Sequence, residues 1–250
     1  LPGDGLHLLD LRVTLNERQL HLGATRITQD GQQEAMEHAG RTGGLPFVGV
    51  GWYRLKFEAP AFEEGKRATL LFDGAMSHAR VYVNGEEVGY WPYGYNSFHF
   101  DITPYIKAGE VNTLAVRLEN ENESSRWYPG AGLYRNVHLI ASDAIHIPTF
   151  GVLVRTPKVS TESASVAIEV ELMNGMNEVT SEKSDELAKE GIRIQTDILY
   201  GEEVVATMEG ANSEAVVKEA KLWSPETPNL YTARTRVYKS QEILDERETR

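Results

Sequence analysis

The sequence predicts an all-β protein built from two consecutive β-sandwiches. Apolar and polar residues alternate with a period of two through Tyr53–Phe57 and again through Val166–Leu172, as expected for strands with one face in a core and the other in water. Asn84-Gly85 separates two strand-like runs, and this dipeptide is the strongest short-range signal of a β-hairpin. Short strand-like runs separated by turn residues recur along most of the chain, which is typical of sandwiches.

Composition limits the possible functions. The chain has 250 residues, 41% hydrophobic and 25% charged, which is normal for a soluble globular protein of one large or two ordinary domains. Its net charge of -12 argues against a nucleic-acid partner, because phosphate binding needs a basic surface. It has no cysteine, which excludes disulfides and thiolate chemistry. No apolar run approaches the ~18 residues of a membrane helix, so no membrane partner is predicted.

The first domain is predicted to cover residues 1–142. At its start, Leu6–Val13 has strand character, Gln32–Ala39 has helix character, and Thr42–Gly51 is predicted to be a glycine-rich loop. Phosphate binding by this loop is disfavoured, because its glycines precede a strand instead of following one. After the strand that begins at Gly51, further strands are predicted at Ala68–Phe72, Ala79–Val83, Glu87–Tyr90, Ser97–Asp101, Thr113–Leu118 and Val137–Ile140.

The second domain is predicted to cover residues 143–250, because the sequence changes character near Ala141–Ala144. Asn174–Gly191 is polar and acidic, and it is predicted to be an exposed loop with a helical turn near Asp185–Lys189. The number and spacing of the strands match an immunoglobulin-like sandwich. These strands are predicted at Val166–Leu172, Ile192–Ile198, Val204–Met208, Ala215–Lys221, Tyr231–Tyr238 and Ile243–Thr249.

Two segments have a composition suited to binding sugars. Glu119–Arg135 contains Arg126, Trp127 and Tyr128, and a second aromatic cluster lies at Tyr90–Asn96. Aromatic faces can pack on the C–H surfaces of sugars while amide, carboxylate and guanidinium groups hold the hydroxyls, and binding residues are commonly placed on loops. The alternative is that aromatics beside Gly and Pro form small cores under the loops. Residue types alone leave both possibilities open.

No catalytic constellation is visible in the sequence. Hydrolysis of a glycoside needs two carboxyl groups ~5–5.5 Å apart for retention or ~6.5–9.5 Å apart for inversion, but with 37 acidic residues candidate pairs are too common to be informative. The seven histidines lack metal-ligand spacing, and no Gly-x-Ser-x-Gly elbow is present. We therefore predict no catalytic residue, no metal and no cofactor in this chain.

The order of several motifs resembles the N-terminal part of glycoside hydrolase family 2, the β-galactosidase family. Each motif is weak alone, and the resemblance rests on their order and spacing across residues 42–250. The motifs are Gly51-Trp52-Tyr53-Arg54, Asp73–Ala79, Val83-Asn84-Gly85, Phe100–Thr103, Arg126–Arg135 and Leu222–Tyr231. One departure lies at Leu1–Gly5, where Gly3 and Gly5 replace the His and Trp of a Leu-Pro-His-Asp-Trp motif common in the family.

This resemblance implies a jelly-roll (galactose-binding-like) sandwich, an immunoglobulin-like sandwich and then a (β/α)8 barrel that carries the acid/base and nucleophile glutamates. Because a barrel needs about 250 residues of its own, the barrel is expected to be missing and this chain to be inactive by itself. The implied partners are a carbohydrate substrate and the missing barrel of the same polypeptide. The implied substrate-binding residues are Arg126, Trp127 and Tyr128.

The leading functional hypothesis is the non-catalytic N-terminal part of a retaining, β-galactosidase-like exo-β-glycosidase that hydrolyses terminal β-glycosides. Alternatives are a parent enzyme of the β-glucuronidase or β-mannosidase type, a stand-alone pair of carbohydrate-binding modules, or a structural β-sandwich with no role in sugar binding. A homo-oligomer stays open, as does the choice between bacterial periplasm and cytoplasm.

Overall fold

The computed structural model describes residues 6–7, 49–61, 65–120 and 132–250. The chain divides into two compact units, Leu6–Ala141 and Ser142–Arg250. The strands of the first are β1 (Leu6–His7), β2 (Gly49–Glu58), β3 (Arg67–Phe72), β4 (Ala79–Val83), β5 (Glu86–Trp91), β6 (Phe98–Asp101), β7 (Val111–Asn120) and β8 (Val137–Ser142).

The elements of the second unit follow along the chain. They are β9 (Ile145–His146), β10 (Val152–Val159), β11 (Ser163–Val170), β12 (Met173–Asn174), β13 (Asn177–Glu178), α1 (Ser181–Lys189), β14 (Ile192–Tyr200), β15 (Glu203–Glu209), β16 (Asn212–Lys218), β17 (Thr232–Lys239) and β18 (Glu242–Thr249).

The first unit contains two four-stranded sheets, in the orders β1-β8-β3-β6 and β2-β7-β4-β5. Along β2 the side chains of Tyr53, Leu55 and Phe57 point inward, as the period of two predicts. Phe72 is fully buried, and its ring stacks on Phe98 at a centroid distance of 4.8 Å and an interplanar angle of 7°. The alternation seen in the sequence is therefore the alternation between core and surface.

The hairpin between β4 and β5 turns at Asn84 (φ 52°) and Gly85 (φ 92°), a pair of positive φ angles that matches a two-residue type I′ turn. The turn is anchored to the chain before β7 through Asn112, which is fully buried. Asn112 Oδ1 accepts from Asn84 Nδ2 and from the Lys107 amide, and its Nδ2 donates to the carbonyls of Lys107 and Glu110, each at 2.8 Å.

The second unit has a four-stranded sheet, β15-β14-β17-β18, and two three-stranded sheets, β10-β11-β16 and β13-β12-β9. Its core includes the fully buried residues Ile147 and Val237. Asp245 is only 2% exposed. Its carboxylate accepts from the Ile147 amide at 2.8 Å and pairs with Arg247 at 2.8 Å, so it holds the start of the unit against its last strand.

Two predictions about loops are wrong in part. Asn174–Gly191 contains the nine-residue helix α1, because Leu187 is buried against the core and gives an otherwise polar segment an anchor. Gly49–Gly51, predicted as the end of a glycine-rich loop, already belongs to β2 because these residues pair with Leu118–Asn120 in the ladder.

One strand was not predicted, and two predicted elements lie wholly or partly outside the described residues. The strand β10 was not predicted, since most of its residues are exposed and Arg155, Thr156 and Pro157 interrupt the apolar alternation. The predicted helix at Gln32–Ala39 lies outside the described residues, and of Leu6–Val13 only the two-residue strand β1 lies within them.

Candidate functional site

Three loops meet at one end of the first unit. They are residues 73–78 between β3 and β4, residues 92–97 between β5 and β6, and residues 132–136 before β8. Met76 and Gly132 exchange two backbone hydrogen bonds, at 3.1 and 3.0 Å. We call these three segments the loop cluster.

Further hydrogen bonds join the loop of residues 92–97 to the other two loops of the cluster. The hydroxyl of Tyr134 donates to the Gly94 carbonyl at 2.7 Å, and the amide of His78 donates to the Pro92 carbonyl at 3.1 Å. Each loop is therefore tied to another by at least one direct bond, and the cluster presents one joined surface.

Two glycines allow this close packing. Gly132 has φ +98°, and a Cβ there would lie 2.4 Å from the hydroxyl oxygen of Tyr53. A Cβ at Gly94 would lie 2.8 Å from the sulfur of Met76. Both distances are below van der Waals contact, so a side chain at either position would require Tyr53 or Met76 to shift.

The predicted aromatic segment Tyr90–Asn96 provides exposed rings beside the cluster. Tyr93 and Tyr95 are 56% and 50% exposed, with ring centroids 5.6 Å apart at an angle of 60°. The hydroxyl of Tyr90 lies 2.6 Å from His78 Nδ1, and the Arg80 guanidinium lies 4.9 Å from the centre of the Tyr90 ring. Exposed, oriented aromatic faces of this kind suit the C–H surfaces of a sugar ring.

Trp91, in the same segment, has a structural role. Its ring stacks on Phe98 at 5.7 Å and its Nε1 donates to Asn96 Oδ1 at 3.0 Å. The structural interpretation of the aromatic cluster therefore holds for Trp91, because strand alternation directs Trp91 inward and Tyr90 outward. Sugar binding by the exposed members stays a prediction.

The residues predicted to bind sugar lie outside the described residues, so their role stays a prediction; they are Arg126, Trp127 and Tyr128. The chain on either side of them is described. Before the segment, the Glu119 amide donates to the Ser77 carbonyl at 2.9 Å and the Ser77 hydroxyl donates to the Glu119 carbonyl at 2.9 Å. After it comes Gly132, bonded to Met76 as above. Both flanks are thus fixed to the loop of residues 73–78.

Asp73 and Tyr53, beneath the cluster, both have hydrogen-bond partners within the first unit. Asp73 Oδ2 lies 3.1 Å from Nε2 of the buried His138. Burial raises the pKa of the Tyr53 phenol, and a hydrogen bond with the backbone of Leu133 opposes this, so Tyr53 stays neutral at physiological pH.

The described residues contain neither a metal-binding cluster nor a membrane-spanning helix. No group of three or more His, Asp or Glu side chains within residues 6–7, 49–61, 65–120 and 132–250 is arranged to hold a metal ion. Within the same part of the chain, no helix has the length and apolar character needed to cross a membrane.

Sequence reasoning did not assign His78 and Arg80 to this region. Arg80 lies opposite Tyr90 only because the β4–β5 register shifts by one residue between Val81 and Tyr82. A regular hairpin around the Asn-Gly turn would place Arg80 opposite Gly89 instead, so the residue pattern contains no signal for the observed pair.

The two sandwiches, with an aromatic loop cluster at one end of the first, match known modules of carbohydrate-active enzymes. Residues 45–143 match the family described as glycosyl hydrolases family 2, sugar binding domain, and residues 145–250 match glycosyl hydrolases family 2. The chain belongs to glycoside hydrolase family 2. The predicted family and the predicted fold, a jelly roll followed by an immunoglobulin-like sandwich, are thereby confirmed.

Individual relatives are much longer than this chain. The β-galactosidase BoGH2A of Bacteroides ovatus is 39% identical over 215 residues, covering 83% of this chain and 25% of the relative. A putative β-glucuronidase of Formosa agariphila is 35% identical over 211 residues, covering 84% and 20%. A solved family 2 member from Bacteroides cellulosilyticus superposes with a TM-score of 0.69 at 31% identity, covering 80% and 26%. The chain spans about a quarter of the length of such relatives.

Proposed function

We propose that this chain is the non-catalytic N-terminal part of a retaining exo-β-glycosidase that hydrolyses terminal β-glycosides, with β-galactosides as the first choice of substrate. Family membership supports the reaction class, and the 39% identity to a β-galactosidase supports the sugar. The proposed task of the loop cluster is to hold the non-reducing sugar beside catalytic carboxylates on a (β/α)8 barrel of the same polypeptide.

The observation that carries the proposal is where the predicted sugar-binding segment enters and leaves the first unit. Its flank at Glu119 is hydrogen-bonded to Ser77 and its flank at Gly132 to Met76. Both partners belong to the loop cluster, which also carries the exposed rings of Tyr93 and Tyr95. An Arg-Trp-Tyr run carried on these flanks would supply donors and aromatic faces at a single end of the sandwich.

In the proposed retaining hydrolysis, the barrel supplies the catalytic carboxyl groups and this chain orients the substrate. Two carboxyl groups ~5–5.5 Å apart form and then hydrolyse a glycosyl–enzyme intermediate, and we assign neither of them to this chain. The chain contributes orientation: the Arg126 guanidinium donates hydrogen bonds to sugar hydroxyls, and Trp127 and Tyr128 pack on the ring. A β-glucuronidase remains the second candidate, because one relative is a putative β-glucuronidase and a guanidinium also fits a uronate carboxylate.

The test is Arg126→Ala in the parent enzyme, assayed with nitrophenyl β-galactoside and β-glucuronide. Loss of a hydrogen bond to the substrate should lower kcat/KM by roughly 30- to 1000-fold, or about 2–4 kcal/mol. Arg155→Ala is the matched control, because Arg155 is an exposed arginine that pairs with a surface carboxylate, Glu169, and should leave kcat/KM within about twofold. An unchanged kcat/KM for Arg126→Ala would show that Arg126 is structural.

Calorimetry on the 250-residue chain with galactose, lactose and glucuronic acid distinguishes the hydrolase proposal from the alternative of a stand-alone pair of carbohydrate-binding modules. We expect no sub-millimolar binding, because the barrel supplies the other half of the proposed site. Sub-millimolar affinity for the chain alone would favour a pair of carbohydrate-binding modules over the hydrolase.

A further inference from the structure

A row of aromatic and guanidinium groups crosses all four strands of the β2-β7-β4-β5 sheet in the first unit. In order across the sheet, directly opposite one another in the ladders, its members are Trp52, Arg117, Arg80 and Tyr90. Because side chains alternate along a strand and the next residue after Arg80, Val81, lies in the core, the row is on the outer face of the sheet. Neighbouring strands lie about 4.8 Å apart, so the row is about 14 Å long. We call it the cross-strand row.

The cross-strand row is accessible to solvent and its side chains hold one another in place. Trp52 and Tyr90, at its two ends, are 44% and 41% exposed. The side chains of Arg80 and Arg117 between them are 44% and 24% exposed. The Trp52 ring contacts the ring of Tyr82 at a centroid distance of 5.6 Å, and the Arg80 guanidinium lies over the Tyr90 ring. The row therefore presents oriented rings and charges to a ligand.

The two arginines at the centre of the row are placed unfavourably for the protein alone. Arg80 and Arg117 lie directly opposite each other on β4 and β7, and like charges in such positions destabilise a sheet. Each pairs with one half-exposed carboxylate, Glu87 at 2.8 Å and Glu119 at 3.0 Å. Among the described residues these pairs engage only the Nη1 atoms, which leaves most N–H donors of each guanidinium. Arg54, exposed on the same face of β2, adds further positive charge, so positive charge exceeds negative at the centre of this surface.

This combination of groups suits a linear oligosaccharide that carries carboxylates. Aromatic faces at both ends can pack on the C–H surfaces of sugar rings, and the planar fork of a guanidinium matches a carboxylate in a bidentate pair. The carboxylates of Glu87 and Glu119 can accept hydrogen bonds from sugar hydroxyls. A nucleic acid fits less well, because these two carboxylates would repel phosphates and the whole chain has a net charge of -12.

We propose that the cross-strand row binds a linear acidic polysaccharide through its uronate carboxylates. The row borders the loop cluster, since the Tyr90 hydroxyl lies 2.6 Å from His78 Nδ1 and the Glu119 amide donates to the Ser77 carbonyl. A polysaccharide on the row would lie next to the loop cluster, on the face of the sheet. The proposal goes beyond the proposed function, because it requires neither a barrel nor the segment Arg126–Tyr128.

The test is titration calorimetry of the 250-residue chain with two linear oligouronates, tetragalacturonate and tetraglucuronate. At least one should bind, more weakly as salt concentration rises, and its neutral methyl ester should not. Arg80→Ala/Arg117→Ala should weaken binding by about tenfold or more, and Trp52→Ala by about fivefold or more. The matched controls are Arg155→Ala and Trp223→Ala, which alter an exposed arginine and an exposed tryptophan of the second unit and should bind as the wild type does.

A variant that keeps the charge separates recognition from simple attraction and from loss of folding. Arg80→Lys/Arg117→Lys retains both positive charges and loses the planar fork. It should keep the wild-type melting temperature and bind the oligouronate with an affinity between those of the wild type and the alanine pair. Free glucuronic acid, which is too short to span the row, should not bind at sub-millimolar concentration.

Absence of binding by both tetramers, or undiminished binding by the alanine variants of the row, would overturn the proposal. Equal binding of dextran sulfate would also overturn it, by showing a general attraction of polyanions, and tighter binding of a single-stranded DNA oligonucleotide would show a nucleic-acid surface instead. Arg126→Ala should leave oligouronate binding unchanged. Loss of binding in that variant would assign the ligand to the predicted sugar-binding segment, which favours the proposed function and contradicts the cross-strand row. Failure of the row variants alone leaves the hydrolase proposal standing.

Discussion

Replacement of Gly132 by alanine should destabilise the first unit through a clash that can be relieved at a second position. A Cβ at Gly132 would lie 2.4 Å from the Tyr53 hydroxyl oxygen, and the next nearest atom, Tyr53 Cζ, is 3.5 Å away. Removing that one oxygen by Tyr53→Phe therefore converts the clash into an ordinary contact. The backbone at Gly132, with φ +98°, stays unfavourable for alanine in either background.

The magnitude has two parts. An unfavourable positive φ costs about 1–3 kcal/mol, and the displacement of a packed tyrosine by a new methyl group costs about 1–3 kcal/mol. Gly132→Ala should therefore lower the free energy of unfolding of the first unit by about 2–5 kcal/mol. Tyr53→Phe alone removes a hydroxyl bonded to the Leu133 backbone and should cost about 0.5–1.5 kcal/mol.

The assay is urea unfolding of the wild type, both single variants and the double variant, followed by the fluorescence of the tryptophans of the first unit. The double variant should be at least as stable as Gly132→Ala, with a favourable coupling of about 1–3 kcal/mol. Strict additivity of the two substitutions would refute the packing described at the exit of the predicted sugar-binding segment.

Two other perturbations follow from buried polar groups. Asn112→Ala removes four hydrogen bonds at a fully buried position and should cost the first unit about 2–4 kcal/mol in chemical denaturation. The matched control, Asn136→Ala, alters an exposed side chain and should stay within about 0.5 kcal/mol of wild type. Burial raises the pKa of Asp245 above its ordinary 3.8, against the opposing effect of Arg247. The folded state therefore binds this proton more tightly than the unfolded state, and the free energy of unfolding of the second unit should fall as pH rises through the window between the two pKa values. The free energy of unfolding is measured by urea titration at several pH values across that window. It should depend less steeply on pH in Asp245→Asn than in the wild type, and an unchanged pH dependence would contradict the raised pKa of Asp245.

Much of the fold follows from local patterns in the sequence. The inward direction of Tyr53, Leu55 and Phe57 follows from the period of two, because successive side chains of a strand point to opposite faces. The turn at Asn84-Gly85 follows from the tolerance of these two residue types for positive φ. Such properties depend on neighbours in the chain, so residue types and spacing are enough to predict them. The order of the motifs along the chain was likewise enough to predict the family.

The candidate site, by contrast, depends on which strands lie side by side. The hydroxyl of Tyr134 reaches the Gly94 carbonyl across 40 positions of sequence, and Met76 meets Gly132 only because the sheet order brings β3 and β8 together. The one-residue shift that sets Arg80 opposite Tyr90 and the burial of Leu187 in α1 likewise have no local signal. The sequence alone therefore determined two β-sandwiches of a glycoside hydrolase family. Tertiary structure decided how the loops of the first unit meet, because contacts between distant segments are set by strand order and packing.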